Sequence, residues 1–182
     1  MNIEKQPLTL TVNGKTIGPV DVPLNMPMVD FLHEHLNLTG TRFGCGQGVC
    51  HACTVVEVGS DGSMTESRTC VFTAHYFNNK SIITVEGQAT YDDEGKLQSL
   101  SPIQQAFIDH FAFQCGYCAP GFVTGATVFI DGLKRQPVRR EHLESAIEDA
   151  LNEHICRCTG YVRYYEAVKQ VALATPGCVI DD

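Results

Sequence analysis

Nine cysteines stand among 182 residues, and eight of them fall into two sets whose spacing restricts the fold more than any other feature. The first set reads Cys45-x4-Cys50-x2-Cys53, with Cys70 following after sixteen intervening residues. The second reads Cys115-x2-Cys118 and, after 37 intervening residues, Cys156-x-Cys158. The opening Met1-Asn2-Ile3-Glu4-Lys5-Gln6-Pro7 has no basic stretch leading into an apolar one and no twin arginine. It is therefore read as lacking an export signal, which favours a reducing compartment. Nine cysteines in a chain of this length fall short of the roughly 8–10% of a disulfide scaffold, so metal-holding thiolates are expected before bridges.

Three thiolates crowded into one short loop, with a fourth at a distance, is the spacing used to ligate a [2Fe-2S] cluster. The loop has to curl around the metal, and Gly44, Gly46 and Gly48 relieve the steric limits on that curl while exposing N–H groups to the sulfur atoms. Structural zinc prefers two short knuckles held apart, a c-type haem needs histidine directly after C-x-x-C, and a Rieske centre needs two histidine ligands. Thr54 and Ala119 occupy the positions after the two C-x-x-C pairs. A thioredoxin-like pair at Cys50/Cys53 would leave Cys45 and the glycines without a purpose. The second set, taken alone, suits zinc or an iron-sulfur cluster about equally, and both of its pairs are expected beside helix N-termini, where thiolates are stabilised.

The pattern around these sets divides the chain. Leu8, Leu10 and Val12 alternate with threonines before Asn13-Gly14, which predicts a tight hairpin into a second strand near Ile17 to Val22. Pro27 opens a short helix reaching Leu36-Asn37, and apolar runs at Val55 to Val58, Val71-Phe72 and Ile82 to Val85 complete a small mixed sheet. Residues 1–87 are thus expected to form one α+β domain. The polar stretch from Glu86 to Leu100 reads as the connection, and residues 88–182 read as a second, all-helical domain. It opens at Ser101-Pro102-Ile103-Gln104, a capping signal, and its apolar stripes predict a four-helix bundle. The stripes are Ile103/Ala106/Phe107/Phe111, Phe122/Val123/Ala126/Phe129/Ile130, Leu143/Ala146/Ile147/Ala150/Leu151 and Tyr164/Tyr165/Val168/Val171/Ala172.

Charge narrows the function classes. With 13 basic against 21 acidic side chains and a formal charge of −8, the chain lacks the basic excess a nucleic-acid binder needs. No long uncharged apolar run could span a membrane. No nucleophile triad, phosphate loop or dinucleotide fingerprint is present, so substrate chemistry is expected on another chain.

Cys45-Gly46-Gln47-Gly48-Val49-Cys50-His51-Ala52-Cys53-Thr54-Val55, then Gln114-Cys115-Gly116-Tyr117-Cys118-Ala119-Pro120-Gly121, then Cys156-Arg157-Cys158-Thr159-Gly160-Tyr161 resemble the small iron-sulfur subunit of molybdenum hydroxylases, the xanthine dehydrogenase and aldehyde oxidoreductase family. The resemblance runs over residues 8–172 in the family's motif order. It implies a β-grasp, plant-type ferredoxin-like domain followed by a four-helix bundle, with one [2Fe-2S] cluster on Cys45, Cys50, Cys53 and Cys70 and another on Cys115, Cys118, Cys156 and Cys158. It implies that Gln114 and Cys158 approach a molybdopterin, of the cytosine dinucleotide kind, on a large partner subunit. The acceptor beyond the first cluster is then a medium subunit carrying FAD, or a cytochrome. The implied role is electron relay during oxidation of an aldehyde to a carboxylic acid. A purine, an N-heteroaromatic or carbon monoxide are the alternative substrates, and a free-standing ferredoxin-like carrier or a zinc module are the alternative classes. The compartment is cytoplasmic, or periplasmic where a partner brings the export signal.

Departures from the family pattern are His51 where glycine is common, Gln47 where an acidic residue is frequent, Ala119 for threonine, and a longer stretch from Cys53 to Cys70 that a turn at Gly59-Ser60-Asp61-Gly62 can absorb. His51 reads as a surface histidine in preference to a group reaching the cluster or an acceptor, and His154 as packing. Arg157 reads as local structure, and Lys134-Arg135 and Arg139-Arg140 as a solvated connection. Cys178 reads as a free thiol in a loose tail.

Overall fold

The computed structural model describes residues 4–181; residues 1–3, on which part of the reading of the N-terminus and of the first domain rests, and residue 182 lie outside the described residues. Strand β1 (Lys5–Val12) turns at Asn13-Gly14 into β2 (Lys15–Pro23). Both turn residues have positive φ, 51° and 78°, which is the geometry the Asn-Gly pair predicts. Helix α1 (Met28–Glu34) follows, with Pro27 at its N-cap. It stops before the expected Leu36-Asn37 because the backbone turns left-handed at Asn37, φ 54°.

Strands β3 (Thr54–Val58), β4 (Met64–Arg68) and β5 (Ser81–Ile83) complete a five-stranded sheet in the order β2-β1-β5-β3-β4. The sheet is mixed: β1 runs parallel to β5, while β3 is antiparallel to both β4 and β5. Gly59 to Gly62 form the turn between β3 and β4, as the longer segment requires. The expected strand at Val71-Phe72 is a turn instead: Val71 N–H bonds to Arg68 and Phe72 C=O accepts from Met28. Thr69 explains the bend, since its N–H and hydroxyl both donate to Cys53 C=O, at 3.3 and 2.8 Å, and break away from the sheet ladder.

The polar connection holds a two-stranded ribbon, β6 (Thr90–Tyr91) with β7 (Leu97–Ser99). Helices α2 (Pro102–Asp109), α3 (Ala119–Arg135), α4 (Leu143–Leu151) and α5 (Val162–Ala174) follow, the number that the apolar stripes predict. Ser101 and Gln104 cap α2 reciprocally: Gln104 N–H donates to Ser101 Oγ at 3.2 Å and Ser101 N–H to Gln104 Oε1 at 2.9 Å. Phe111 departs from its stripe. It lies beyond α2 with φ 48° and is 72% exposed. Strand β9 (Val179–Ile180) pairs with β8 (Val138–Arg139), so the tail is held and Cys178 is fully buried rather than loose.

Buried apolar residues fall into two clusters. Leu8, Leu10, Phe31, Leu32, Phe77 and Ile82 centre one between the sheet and α1. Phe107, Phe122, Ile147, Leu151, Tyr164 and Val168 centre the other among the four helices.

Candidate metal centres

The chain between α1 and β3 cannot be regular, because its glycines place the backbone where side chains would collide. Gly46 and Gly48 have φ of 68° and 73°, and a Cβ on Gly44 would stand 2.8 Å from Cys50 Sγ. Cys45 and Cys50 are hydrogen-bonding neighbours in this loop. Cys53 lies at its end, and the Thr69 bonds to Cys53 C=O bring Cys70 to it, so that these two thiols also meet. The loop's ionisation is uneven. Burial opposes ionisation of Cys45, but N–H groups of Gln47 and its neighbours outweigh it and hold the thiol down at about 6. At Cys53 burial dominates and pushes the thiol up to about 12.

The second group is assembled from two helix boundaries. Cys118 is the N-cap of α3, and Cys156 and Cys158 precede α5. Cys115 Sγ lies 3.4 Å from Cys158 Sγ, both exposed, while Cys118 and Cys156 meet in the interior. The stabilisation expected at the helix termini is overridden at Cys118 but not at Cys156. Burial pushes Cys118 up to about 11, and Cys156 is brought down to about 7 because, against the effect of burial, the hydroxyl and N–H of Thr159 bond to it. Tyr164 was legible only as a member of an apolar stripe, yet its hydroxyl lies 3.3 Å from Cys118 Sγ and 4.0 Å from Cys156 Sγ. Burial and the adjacent thiols raise its pKa, so it stays a donor.

The eight sequence-predicted cysteines therefore form four close pairs, Cys45/Cys50 and Cys53/Cys70 in the first set, Cys115/Cys158 and Cys118/Cys156 in the second. Two irons that each need two thiolates call for that arrangement. Gln114 is exposed and lines an open groove with Phe111, Phe113, Thr159 and Val162.

The two groups are tied together. Ile155 N–H donates to Cys50 C=O at 3.2 Å, and Tyr117 Oη donates to Phe43 C=O at 2.6 Å. His51 is a correction to the sequence reading: it is 5% exposed, not a surface residue, because α3 packs directly on its backbone. His154, at 1% exposed, is buried as packing requires. A Cβ on Gly121 would stand 2.3 Å from His51 O and 3.1 Å from Ala52 Cα. Gly121→Ala is accordingly expected to destabilise the chain by about 1–3 kcal/mol, since overpacking against backbone outweighs the gain of up to about 1 kcal/mol in helix propensity. Urea unfolding checks this, and an unchanged or higher midpoint would contradict it.

Comparison with known proteins adds the following. Residues 10–74 match the family model described as a 2Fe-2S iron-sulfur cluster binding domain, and residues 84–169 match the one described as a [2Fe-2S] binding domain. The nicotinate dehydrogenase small FeS subunit of Eubacterium barkeri is 34% identical over 92% of this chain and 95% of its own. The aldehyde oxidoreductase iron-sulfur-binding subunit of Escherichia coli O157:H7 is 33% identical over 93% of this chain and 72% of its own. A chain of the crystal structure of quinoline 2-oxidoreductase from Pseudomonas putida 86 superposes with a TM-score of 0.77 at 30% identity, covering 96% of this chain and 94% of that one.

Proposed function

Because the chain belongs to the family of small [2Fe-2S] iron-sulfur subunits of molybdenum hydroxylases, we propose that it relays single electrons from the molybdenum centre of a large partner subunit, through two clusters, to a flavin or other acceptor. The observation that carries this reading is the division of each cysteine group into two close pairs, with the groups joined by the Ile155–Cys50 hydrogen bond. In this reading Cys45, Cys50, Cys53 and Cys70 hold the first cluster, and Cys115, Cys118, Cys156 and Cys158 the second. The domains divide at 87/88, in keeping with the two apolar clusters.

A [2Fe-2S] cluster so held takes up and passes on one electron at a time, at a potential set by charge, hydrogen bonds and exposure. The chain supplies those settings. Gln47 N–H reaches Cys45 Sγ at 3.4 Å, Thr159 Oγ1 lies 3.0 Å from Cys156 Sγ, and the Tyr164 hydroxyl sits over the buried pair. Ile155 links the carbonyl of one ligand, Cys50, to the backbone next to another, Cys156.

Gln114 and Cys158 face outward, and we assign them to the contact with a molybdopterin cytosine dinucleotide on the large subunit. Exposed Phe111, Phe113 and Val162 around them are the apolar surface such a permanent contact would cover. Exposed Phe43, Val49 and Val71 mark the first group as the side for a FAD-binding subunit or a cytochrome. The substrate we assign is an aldehyde, oxidised to a carboxylic acid, as the name of the Escherichia coli relative suggests. An N-heteroaromatic is the second reading, favoured by the nicotinate and quinoline enzymes. No helix among the described residues is long and apolar enough to cross a membrane; we assign the complex to the cytoplasm, or to the periplasm where the large subunit is exported.

Co-expression with the large subunit, metal analysis and low-temperature EPR test the reading. Two distinct rhombic signals after reduction, with molybdenum in the co-purified partner, are the expected result. A colourless protein holding zinc would overturn it.

A further inference from the structure

Between the two cysteine groups lies a buried polar cluster to which nothing above gives a role. Glu66, on β4, faces a histidine on either side: its carboxylate is 3.5 Å from His51 Nδ1 and 3.3 Å from His154 Nε2. The two imidazoles meet edge to face at 4.7 Å. His51 directly follows Cys50, and His154 stands two residues before Cys156. One carboxylate thus touches both loops.

The spacing of the three side chains would by itself suit a divalent cation. Arg68 argues against one. Its Nε donates to His51 Nε2 at 3.0 Å, which leaves the proton on Nδ1, pointed at Glu66, and sets a guanidinium beside the cluster. His51 Nδ1 is buried and has no hydrogen-bond partner among the described residues; it faces the Glu66 carboxylate at 3.5 Å. Burial of Glu66 would raise its pKa, but the two histidines outweigh burial and hold it at about 2. Gly125 makes room for the arrangement, since a Cβ there would stand 2.5 Å from His154 Nε2 and 2.9 Å from Glu66 Oε1.

We propose that Glu66 is a positioning residue for electron transfer: by bonding to His154 and facing the buried Nδ1 of His51 at once, it fixes the approach of the Cys45–Cys53 loop to the Cys156–Cys158 loop. The inference rests on the reading that both loops hold clusters. A half-buried carboxylate and two buried imidazoles need one another, because any of them left alone carries an uncompensated desolvation cost. With the carboxylate removed the two loops lose their shared partner, and the Cys50–Ile155 hydrogen bond loses its lateral support.

The test uses the full chain with both clusters, as Glu66→Gln and Glu66→Asp. EPR of the fully reduced protein reads the magnetic interaction between the clusters, which falls with the cube of their separation, and redox titration reads each midpoint potential. Glu66→Gln keeps the shape but loses the charge. It is expected to change the interaction splitting and to shift both potentials upward, because a half-buried negative charge beside His51 and His154, next to both loops, is gone. Glu66→Asp keeps the charge but cannot reach both rings, so the potentials should return towards the original values while the splitting stays altered. Should the glutamine variant not fold with both clusters, the splitting in the aspartate variant decides. A lower melting temperature with unaltered splitting and potentials would overturn the inference and leave Glu66 a purely structural residue. Absence of paired signals from the unaltered chain would overturn the cluster assignment itself, and this inference with it.

Discussion

Phe122→Ala is expected to cost about 3–5 kcal/mol of stability, the range for truncating a fully buried aromatic, and to release the second cysteine group before the first. Phe122 is fully buried on α3, where its ring stacks on Tyr164 with centroids 4.2 Å apart and planes 9° apart. It also leans on His154 at 5.1 Å and on Tyr161 at 6.1 Å. Each of those neighbours has a polar task. Tyr164 aims its hydroxyl at Cys118 and Cys156, Tyr161 Oη accepts from Cys156 N–H at 3.1 Å, and His154 donates to Glu66. The cavity left by the ring would let all three relax out of these contacts. Against a total of about 5–15 kcal/mol for a domain, a loss of this size is large. Urea unfolding followed by visible absorption and by far-ultraviolet circular dichroism reads both effects. A variant within about 1 kcal/mol of the original, with both sets of absorption bands leaving together, would contradict the account.

The signals that sequence carried well are those in which a few adjacent residues dictate a local geometry. Asn13-Gly14 has no competitor as a two-residue hairpin turn, and Ser101-Pro102-Ile103-Gln104 satisfies the exposed donors of a helix start without help from elsewhere. The cysteine spacings belong to the same class as markers of the two segments that match [2Fe-2S] binding-domain models. What escaped depended on contacts between distant segments. Strand β4 reads Met-Thr-Glu-Ser-Arg, with Glu66 where a core strand would be apolar, and only the two histidines from remote loops make that carboxylate tolerable inside. His51 looked like a surface residue because the helix that covers it begins 68 residues later, at Ala119, and Gly121 in its first turn, whose missing side chain lets it approach, is the whole of the signal. Cys178 looked loose because Pro176-Gly177 ends α5 cleanly; the parallel pairing of β9 with β8, which holds it under Ile130, leaves no mark in a two-residue strand.

Single cysteine substitutions should separate the nine thiols by function. Cys118→Ser is expected to abolish one of the two rhombic signals and spare the other, and Cys70→Ser to do the reverse, because each close pair serves its own group and no cysteine is shared. The losses should differ in their cost. Cys118 is buried beneath Tyr164 within the apolar cluster of the four helices, so a polar hydroxyl there should also move unfolding to lower urea as the signal disappears. Cys70 is half-buried at the edge of the sheet, outside the apolar cluster that joins β1, β5 and α1, and its loss should leave that sheet standing. Cys178→Ser is the control. It alters a buried thiol that meets Ile130 C=O at 3.8 Å, and it should leave both signals in place. The surviving signal in the first two variants should sharpen, because the Ile155–Cys50 and Tyr117–Phe43 bonds hold the loops near enough for the clusters to broaden one another. Loss of both signals from either variant would mean that the two groups assemble as one unit, and loss of neither would remove that cysteine from the ligand set.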